Sequence, residues 1–405
     1  MAFTFETQMN PEEFDTFVAS HPLGNLLQQT NWAKIKNNWG HFFTGVKEEG
    51  NIVLTALVLR TKKMGMELWY IPRGPVTDYT RKDILDFYFS NLKKFAKPYK
   101  VICGKYVPLV IYDFVLLADH TESKTTKDDT TKLLESLGAK HLGYTFRIAQ
   151  STQPRTQAVY YYSDGWTERP SKTLKKYLQR CSNKGVTLEK GTPQQISVFA
   201  DILAKTGERK GIHLRSEEYF RRMTEVYGEN CAIFFSKLNQ KEQLEKHLAE
   251  KKRIEDDLAE NPRSEKKMEP IRQTLLGLSM EIERLQENIA RDGEEVYMSA
   301  SMVCENGTQS ELFYAGMDGN YAKYYGSYLT YLSAIKWAYD KGCFKCNFGG
   351  VEGTLDDGLT PYKNVFLPVF EEYIGEFEFP FMKLVYPLYV KGLPTIKKII
   401  RKISK

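Results

Sequence analysis

The stretch CAIFFSKL, residues 231–238, decides how this chain is organised once it is compared with EVYMSASMVCE, residues 295–305. Both stretches are rich in the aromatic, β-branched and other apolar residues of buried strands. The residues between them, 238–291, are highly charged and almost free of aromatics. The sequence therefore predicts two strands that pair with each other and a segment inserted between them, which is not a linker between domains.

The inserted segment has the periodicity of helices. One series of apolar residues recurs at alternating spacings of four and three, which is the heptad pattern of a coiled coil: Ile271, Leu275, Leu278, Ile282, Leu285 and Ile289. A looser series precedes it: Leu238, Leu244, Leu248, Ile254 and Leu258. Between the two lies NPRSEKKMEP, in which Pro262 and Pro270 are predicted to interrupt the helix. We expect an antiparallel helical hairpin that projects about 30 Å.

The order of predicted elements repeats once this arm is set aside. The first half reads as a helix (30–39), the strand NIVLTALVLR (51–60), the strand and turn WYIPRGPV (69–76), a helix (81–97) and the strand KVICGKYV (100–107). The second half reads as a helix (216–227), CAIFFSKL, VYMSASMV (296–303), LFYAGMDG (312–319), a helix (324–341) and FKCNFGGV (344–351). This order suits an acyltransferase-like α/β unit that is present twice.

Composition and motifs exclude several classes of protein. The N-terminal residues lack the basic and apolar regions of a signal peptide, and no apolar run reaches the roughly 18 residues that span a bilayer, so we expect a cytoplasmic protein. Cys343 and Cys346 form a C-x-x-C without a second pair or nearby histidines, so we predict no metal. No nucleotide-binding glycine motif occurs, and neither does the coenzyme A pyrophosphate loop. We predict no cofactor.

Two basic regions stand out in a chain of net charge +6. The first carries Lys172, Lys175, Lys176, Arg180 and Lys184, and is either a solvated helix face or a surface for phosphates. The second is the C-terminal PTIKKIIRKISK, in which isoleucines and basic residues take opposite faces of a predicted helix. Such a helix suits an anionic membrane surface, or it docks on the protein body.

Six further segments, spread from about residue 5 to residue 378, carry a resemblance when they are taken together. They are WAKIKNNW, PRGPV, GIHLRSEEYF, YAGMDGN with the Tyr-rich helix after it, FGGV, and YKNVF followed by EYIGEF. In this order they resemble the FemABX family of nonribosomal peptidyltransferases, and the arm resembles the coiled-coil insertion of the FemA, FemB and MurM branch. Singly, each segment also has a structural explanation, such as a core face or a lysine that reaches water.

The resemblance implies a fold of class α/β (α+β), with two tandem GNAT-like acyltransferase subdomains and an inserted antiparallel coiled-coil hairpin. We place the first subdomain at 1–165 and the second at 166–237 with 295–380. The arm then occupies 238–294, and a basic tail occupies 381–405.

The resemblance also implies a function, namely aminoacyl-tRNA-dependent transfer of an amino acid to a peptidoglycan precursor. The precursor is a muramyl pentapeptide, lipid-linked or UDP-linked, and Gly, Ala and Ser are all family donors. Lys36 and Arg215 would hold its phosphates in a cleft of the first subdomain. The other substrate-binding residues would be Trp39, Tyr99, Tyr219, Tyr314 and Tyr362. The tRNA would contact Lys172, Lys175, Lys176, Arg180 and Lys184, and the C-terminal helix would touch the membrane.

Two catalytic residues follow from the same resemblance. Lys363 matches a family lysine at the reacting centre, where its ammonium would stabilise the oxyanion formed when an amine attacks the aminoacyl ester. Glu376 matches a family acid that either positions substrate or orients Lys363. One departure is that Gly104 or Lys105 occupies the place of a family Asp that is a candidate base. Without that Asp, the base lies elsewhere, the substrate's own phosphate accepts the proton, or the chain is a divergent or weakly active member. Two other functions also stay open: an acyltransferase with another donor, against which the missing coenzyme A loop counts, and a non-catalytic binding protein built on the same body.

Overall fold

The computed structural model describes residues 2–63, 65–116, 121–124, 128–163 and 170–392. The predicted C-terminal helix at 394–405 therefore lies outside the described residues. The strands are β1 Phe3–Glu6, β2 Gly40–Glu48, β3 Asn51–Lys63, β4 Met66–Ile71, β5 Val76–Thr77, β6 Val101–Tyr106, β7 Ile111–Leu116, β8 Thr121–Lys124, β9 Lys140–His141, β10 Thr156–Tyr161, β11 Val186–Lys190, β12 Cys231–Asn239, β13 Glu295–Glu305, β14 Gln309–Met317, β15 Lys345–Val351, β16 Val369–Tyr373 and β17 Phe377–Pro380.

The helices alternate with these strands along the chain. They are α1 Pro11–Ser20, α2 Thr30–Ile35, α3 Lys82–Ala96, α4 Asp128–Ser136, α5 Lys172–Asn183, α6 Ile196–Lys210, α7 Glu217–Tyr227, α8 Gln240–Glu260, α9 Glu265–Asp292, α10 Gly326–Asp340 and α11 Leu359–Asn364. Residues 385–392 are also helical. None of the described helices is both long and apolar enough to cross a membrane.

The strands form two mixed sheets with the same central topology. The first has the order β1-β2-β3-β4-β6-β17-β9, with β5 on β3, and the second has the order β11-β12-β13-β14-β15-β10-β16-β7-β8. In the first sheet β4 and β6 are parallel and α3 connects them, and in the second β14 and β15 are parallel and α10 connects them. A parallel pair needs such a crossover, whereas antiparallel neighbours can follow by short turns. The predicted repeat is confirmed.

Strand pairing crosses the predicted boundary at residue 165. Strands β7, β8 and β10 precede it in the chain but lie in the second sheet. Strand β17 belongs by sequence to the second half, yet it pairs with β6 and β9 of the first sheet. Each sheet is thus completed by strands from the other half of the chain. The division into folding units stays a prediction, and the sheets themselves do not follow it.

One apolar core is shared by the two halves. Phe14 of α1 and Trp32 of α2 belong to the same buried cluster as Phe199 of α6, Phe220 of α7 and Met302 of β13. Burying these helices against both sheets removes a large apolar area from water and fixes α2 against α7. This contact matters for function because the candidate site lies where the ends of these two helices approach each other.

The arm is a helical hairpin, as predicted, and it leaves the second sheet between β12 and β13. These two strands pair antiparallel from Cys231 opposite Cys304 to Asn239 opposite Glu295. The prediction that Pro270 interrupts the helix is wrong, because α9 begins at Glu265 and includes Pro270. A proline near the start of a helix removes a single hydrogen bond, and here the affected turn is exposed to water.

Candidate active site

A cavity of about 220 Å³ lies between the two halves of the chain. The first half contributes Leu27, Trp32, Lys36, Arg73, Gln153, Pro154 and Gln157, and the second half contributes Arg215, Tyr219, Glu311, Leu312, Phe313, Tyr314, Gly349 and Gly350. The resemblance implied a cleft of the first subdomain, but the cavity is lined by residues of both halves of the chain. It brings together four of the predicted substrate-binding residues, Lys36, Arg215, Tyr219 and Tyr314.

Two cationic side chains lie close to the same aromatic ring, that of Tyr219, at the mouth of this cavity. Helix α2 ends at Ile35, so Lys36 caps it and its Nζ lies 5.7 Å from the ring centre of Tyr219. Arg215 lies just before α7, and its guanidinium carbon lies 5.3 Å from the same ring centre. Neither cation forms an ion pair with any described residue. Burial, and then the charge of Arg215, lower the pKa of Lys36 to about 8. An anion bound between them would favour the charged form of Lys36 and so raise its pKa.

An aromatic wall backs these cations. The ring of Trp32 stacks on that of Phe313 at 5.6 Å with an interplanar angle of 10°. Tyr314 packs edge-on against Phe220 at 5.0 Å and against Tyr219 at 6.0 Å. Burial raises the pKa of Tyr219, and Tyr314 raises it further, so the hydroxyl stays protonated at neutral pH. These stacked and edge-on rings form an aromatic lining on one side of the cavity.

Sequence reasoning missed two charged residues deeper in the cavity, Arg73 and Glu311. Arg73 is only 4% exposed, and its Nη2 donates to the carbonyl oxygen of Pro154 at 3.1 Å. Glu311 accepts from Asn25 Nδ2 at 2.6 Å and from Asn347 Nδ2 at 3.4 Å. Burial raises the pKa of Glu311, and the nearby charge of Arg73 opposes that rise. Two signals were available in the sequence: Arg73 lies within the PRGPV segment, and Glu311 is an acid within a predicted strand, directly before the apolar residues LFYAGM.

A bulge explains why Glu311 was missed. Strict alternation along a strand places residues 311 and 314 on opposite faces. In β14, however, Tyr314 pairs with Met302 and Leu312 pairs with the next residue, Val303, so the register shifts at Phe313. The extra residue brings Glu311 and Tyr314 to the same cavity.

The predicted catalytic residue Lys363 lies behind the wall of the cavity. It is 4% exposed, and its Nζ donates to the carbonyl oxygens of Gly349 at 3.0 Å and Gly350 at 2.9 Å. These two glycines line the cavity, while Lys363 does not. Burial lowers the pKa of Lys363 to about 7, against the opposing charge of Asp357. In this arrangement Lys363 supports a wall, and its predicted role at an oxyanion stays a prediction.

Glu376, the second predicted catalytic residue, also supports the wall. Its Oε1 accepts from the backbone N–H groups of Thr152 and of Gln153, the latter at 3.0 Å, and its Oε2 accepts from Lys105 Nζ at 3.1 Å. Gln153 and Pro154 line the cavity, so Glu376 fixes this segment of it. Gly104 or Lys105 takes the place of the family Asp, and Lys105 forms an ion pair with Glu376 there.

Three predicted substrate-binding residues lie away from the cavity. Trp39 is half-buried and packs on the shared core, because α2 ends at Ile35 and the helical spacing does not continue to it. Tyr99 packs in an aromatic cluster of the first sheet, with Phe42, Trp69 and Phe95. Tyr362 packs against Tyr328, Tyr331 and Phe366 beneath α10.

The predicted tRNA-binding residues form an exposed strip on α5. Lys172, Lys175, Lys176 and Arg180 are exposed, whereas Leu174 and Cys181 on the other face are buried. The strip continues to the base of the arm, where Lys184 Nζ lies 5.0 Å and the guanidinium carbon of Arg284 5.4 Å from the ring centre of Tyr324. Burial, and then Arg284, lower the pKa of Lys184. We name this α5–Arg284 region the basic strip.

The described residues include no group of three or more His, Cys, Asp or Glu that could hold a metal ion. Cys343 and Cys346 are free thiols, and burial raises the pKa of each to about 12. The chemistry available at the cavity is therefore that of two cations at its mouth, a buried guanidinium, a carboxylate and aromatic rings.

Known proteins resemble this chain along nearly its whole length. A family model described as the FemAB family matches residues 9–391. The chain is 27% identical over 424 aligned residues to a Lipid II:glycine glycyltransferase of Staphylococcus aureus (strain bovine RF122 / ET3-1), with 97% of each chain covered. The protein of the same description from strain USA300 is 26% identical, with the same coverage.

A solved structure supports the same grouping. The crystal structure of FemX superposes with a TM-score of 0.73 at 25% identity, and the match covers 96% of this chain and 99% of that one. With the sheet topology above, this likeness confirms the predicted fold class of two GNAT-like subdomains with an inserted helical hairpin.

Proposed function

The chain belongs to the FemAB family, and on that premise we propose that it transfers an amino acid from aminoacyl-tRNA to a lipid-linked muramyl-pentapeptide precursor of peptidoglycan. Glycine is the first amino acid to test, because the relatives named above are described as Lipid II:glycine glycyltransferases. The acceptor is an amine of the stem peptide or of a cross-bridge residue added earlier.

The observation that carries this proposal is the pair of unpartnered cations at the cavity mouth. Lys36 and Arg215 flank one ring, Tyr219, and face no described carboxylate at ion-pair distance. Two cations held at fixed positions match the two charges of a diphosphate, and a guanidinium binds phosphate oxygens through two parallel hydrogen bonds. A lipid-linked precursor carries a diphosphate between its lipid and its sugar.

The chemistry needs no cofactor because the aminoacyl ester is already activated. The amine attacks the ester carbonyl, the new C–N bond forms as the C–O bond to the tRNA breaks, and the proton lost by the amine ends on the ribose 3′ oxygen. Holding both substrates in one geometry supplies much of the acceleration in such reactions. Lys363 and Glu376 favour this by fixing two neighbouring parts of the cavity wall, at Gly349–Gly350 and at Thr152–Gln153.

The basic strip is the proposed contact for tRNA phosphates. Its four exposed cations on α5 lie on one solvent-facing surface. Lys184 and Arg284 continue the row toward the arm, where both form ion pairs with Glu281. Positive charge of this kind supplies most of the sequence-independent affinity for nucleic acid. A peripheral contact of the C-terminal tail with the membrane is part of the same proposal.

Mass spectrometry of the precursor tests the function directly. The full-length protein is incubated with a lysine-containing lipid-linked muramyl pentapeptide and glycyl-tRNA, and in parallel with a mixed pool of charged tRNAs. We expect the precursor to gain one glycyl residue. Uncharged tRNA with free glycine, and glycyl-coenzyme A, are the controls for the donor. The double variant Lys36→Met/Arg215→Met should lose both precursor binding and transfer.

The proposal fails if no charged tRNA supports transfer to this precursor or to one that already carries a glycine, while precursor binding is intact. A gain with glycyl-coenzyme A alone would establish the alternative donor. Binding without transfer from any donor would establish a non-catalytic protein.

A further inference from the structure

Two cysteines face each other where β12 begins and β13 approaches its end. Cys231 is directly opposite Cys304 in the antiparallel register, and the two Sγ atoms of these free thiols lie 3.0 Å apart. Residues directly opposite each other in such a pair have Cα atoms about 4.5 or 5.5 Å apart. A disulfide needs a Cα separation of about 4.4–6.8 Å and an S–S bond of about 2.05 Å. The register therefore gives the backbone spacing of a disulfide, and the sulfurs need to approach by about 1 Å to bond.

The two thiols differ in their access to solvent. All six cysteines lie in the described part of the chain; five are buried, and Cys231 is partly exposed. The Sγ of Cys304 donates to the Sγ of Cys231. Burial, and then this hydrogen bond, raise the pKa of the Cys304 thiol, so Cys304 keeps its proton at rest. Cys231 is thus the sulfur that an oxidant from solution reaches first, and Cys304 is the second thiol beside it.

The buried cluster around the pair also contains a hydroxyl without a partner. Tyr227 is 4% exposed, and its hydroxyl has no hydrogen-bond partner among the described residues. Cys304 belongs to the same cluster, and Cys231 packs against it. Burial raises the pKa of Tyr227, and both thiols raise it further, so the phenol stays a donor. The cluster therefore holds a spare donor for an oxygen added to one of these sulfurs.

The pair lies at a joint between the shared core and the cavity. Helix α7 ends at Tyr227, and the single turn Gly228–Asn230 leads from it to Cys231. The first turn of the same helix carries Tyr219, which lines the cavity. A bond between Cys231 and Cys304 would tie the end of this helix to β13. A change at the two sulfurs thus acts on the element that holds one side of the cavity.

We propose that Cys231 and Cys304 are a modification site at which a peroxide forms a reversible disulfide. The Cys231 sulfur, as the thiolate, attacks one oxygen of hydrogen peroxide, and the O–O bond breaks to leave a sulfenic acid on Cys231. The other oxygen leaves as water with the proton that Cys231 released. The Cys304 sulfur then displaces the sulfenic hydroxyl group, which leaves as a second water with the Cys304 proton.

The balance is two thiols and one peroxide to one disulfide and two waters, with two electrons passing from the sulfurs to the peroxide. A reducing compartment, such as the cytoplasm that the sequence predicts, keeps the resting pair as thiols and restores it after oxidation. The disulfide therefore forms only when peroxide is present. This modification is independent of the proposed function, and its test needs neither precursor nor tRNA.

Thiol counting and peptide mapping test the site in the full-length protein. The reduced protein is treated with hydrogen peroxide under native conditions, blocked with a maleimide and digested for mass spectrometry. We expect the number of free thiols to fall by two from the six of the reduced chain. The lost thiols should appear in one peptide pair linked through Cys231 and Cys304, and dithiothreitol should restore them. This map needs no variant, so it decides the question even where a substitution prevents folding.

Two variants separate the roles of the sulfurs. Cys304→Ser leaves Cys231 without its partner, so a sulfenic acid should persist there and react with dimedone. Cys231→Ser should lose no thiols at the same peroxide concentration. The matched control is Cys343→Ser, which removes a buried cysteine elsewhere and should form the disulfide as the wild type does.

The melting temperature gives a second readout. The disulfide joins residues 73 positions apart in the sequence, which restricts the unfolded chain. Oxidation should therefore raise the melting temperature of the wild type and of Cys343→Ser, and it should leave that of Cys231→Ser unchanged.

Three outcomes would overturn the inference. In the first, all six thiols survive peroxide until the protein unfolds. In the second, oxidation links a different pair, such as Cys343 with Cys346. In the third, Cys231 passes to the sulfinic acid with no disulfide at any peroxide concentration, which would show that Cys304 cannot reach it.

Discussion

The Nζ of Lys363 lies 3.0 Å from the carbonyl oxygen of Gly349, a glycine that lines the cavity, while Lys363 itself lies outside the lining. Together with its bond to Gly350, this contact ties α11 to the end of β15. A lysine in this position acts on the substrate through the wall that it holds. The distinction between this role and a direct one can be measured.

We expect Lys363→Met to weaken precursor binding and to lower the melting temperature, because two buried carbonyls lose their donor at a cost of about 1–3 kcal/mol. The measurements are the precursor Kd, kcat and thermal unfolding. Lys34→Met, on an exposed side chain of α2, is the matched control. A fall in kcat of about 10²–10³-fold with unchanged Kd and stability would instead assign Lys363 to the oxyanion.

The lowered pKa of Lys363 leads to a prediction of how the free energy of unfolding depends on pH. Its pKa is lowered from 10.5 to about 7 by burial. Between these values the unfolded chain keeps the proton that the folded chain has lost, so the unfolded state binds more protons and stability rises with pH. The free energy of unfolding of the wild type, relative to Lys363→Met, should increase between about pH 7 and 10 by up to about 1.4 kcal/mol per unit. Urea unfolding at several pH values measures this, and a flat or falling difference would contradict it.

The sequence predicted the repeat, the arm and two of the cavity's cations, but it did not predict the pairing of β17 or the place of Glu311. The reasons are physical. The repeat and the arm were predictable because their periodicities are local. The pairing of β17 with β6 was not, because the pattern of FEFP records burial and carries no information about the partner strand. Lys36 and Arg215 were found through motifs. Glu311 was missed because the bulge at Phe313 changes which face it occupies.

The proposed diphosphate contact predicts a pH dependence of affinity. Burial and Arg215 lower the pKa of Lys36 to about 8, so above that pH the free protein increasingly lacks one of its two charges. We expect the affinity for the lipid-linked precursor, whose diphosphate is a diester and keeps two charges over this range, to be constant below about pH 8 and to fall above it, by at most about tenfold per unit. Lys36→Arg should remove this decline because arginine stays charged. An equal decline in both proteins would exclude Lys36 as its source.

The basic strip predicts the salt dependence of transfer. Neutralising Lys175, Lys176 and Arg180 to glutamine should raise the KM for aminoacyl-tRNA. It should also reduce the slope of log affinity against log salt by about 0.7–0.9 for each phosphate that the strip no longer neutralises. The control neutralises Lys93, Lys94 and Lys97 near the end of α3, which removes the same charge elsewhere. A slope that changes equally in both variants would reflect net charge only, and an unchanged slope would remove tRNA from the strip.

Because Lys105 forms an ion pair, we predict that replacing it with the family's Asp does not increase activity. Lys105 Nζ lies 3.1 Å from Glu376 Oε2 and 3.7 Å from Glu378 Oε1. Lys105→Asp would therefore place three carboxylates together and release the segment that Glu376 holds. We expect a lower melting temperature and weaker precursor binding, with no gain in kcat. Thermal unfolding and steady-state kinetics measure these effects.

The neutral variant Lys105→Met separates the effect of losing the cation from the effect of adding a third carboxylate. It removes the cation without adding a charge, so it should destabilise less than Lys105→Asp. Placing the acid at Gly104 instead is obstructed, because a Cβ there would lie 3.0 Å from the ring of Phe381. If Lys105→Asp raised kcat at unchanged stability, a carboxylate at this position would serve as the base, and the ion pair with Glu376 would be dispensable.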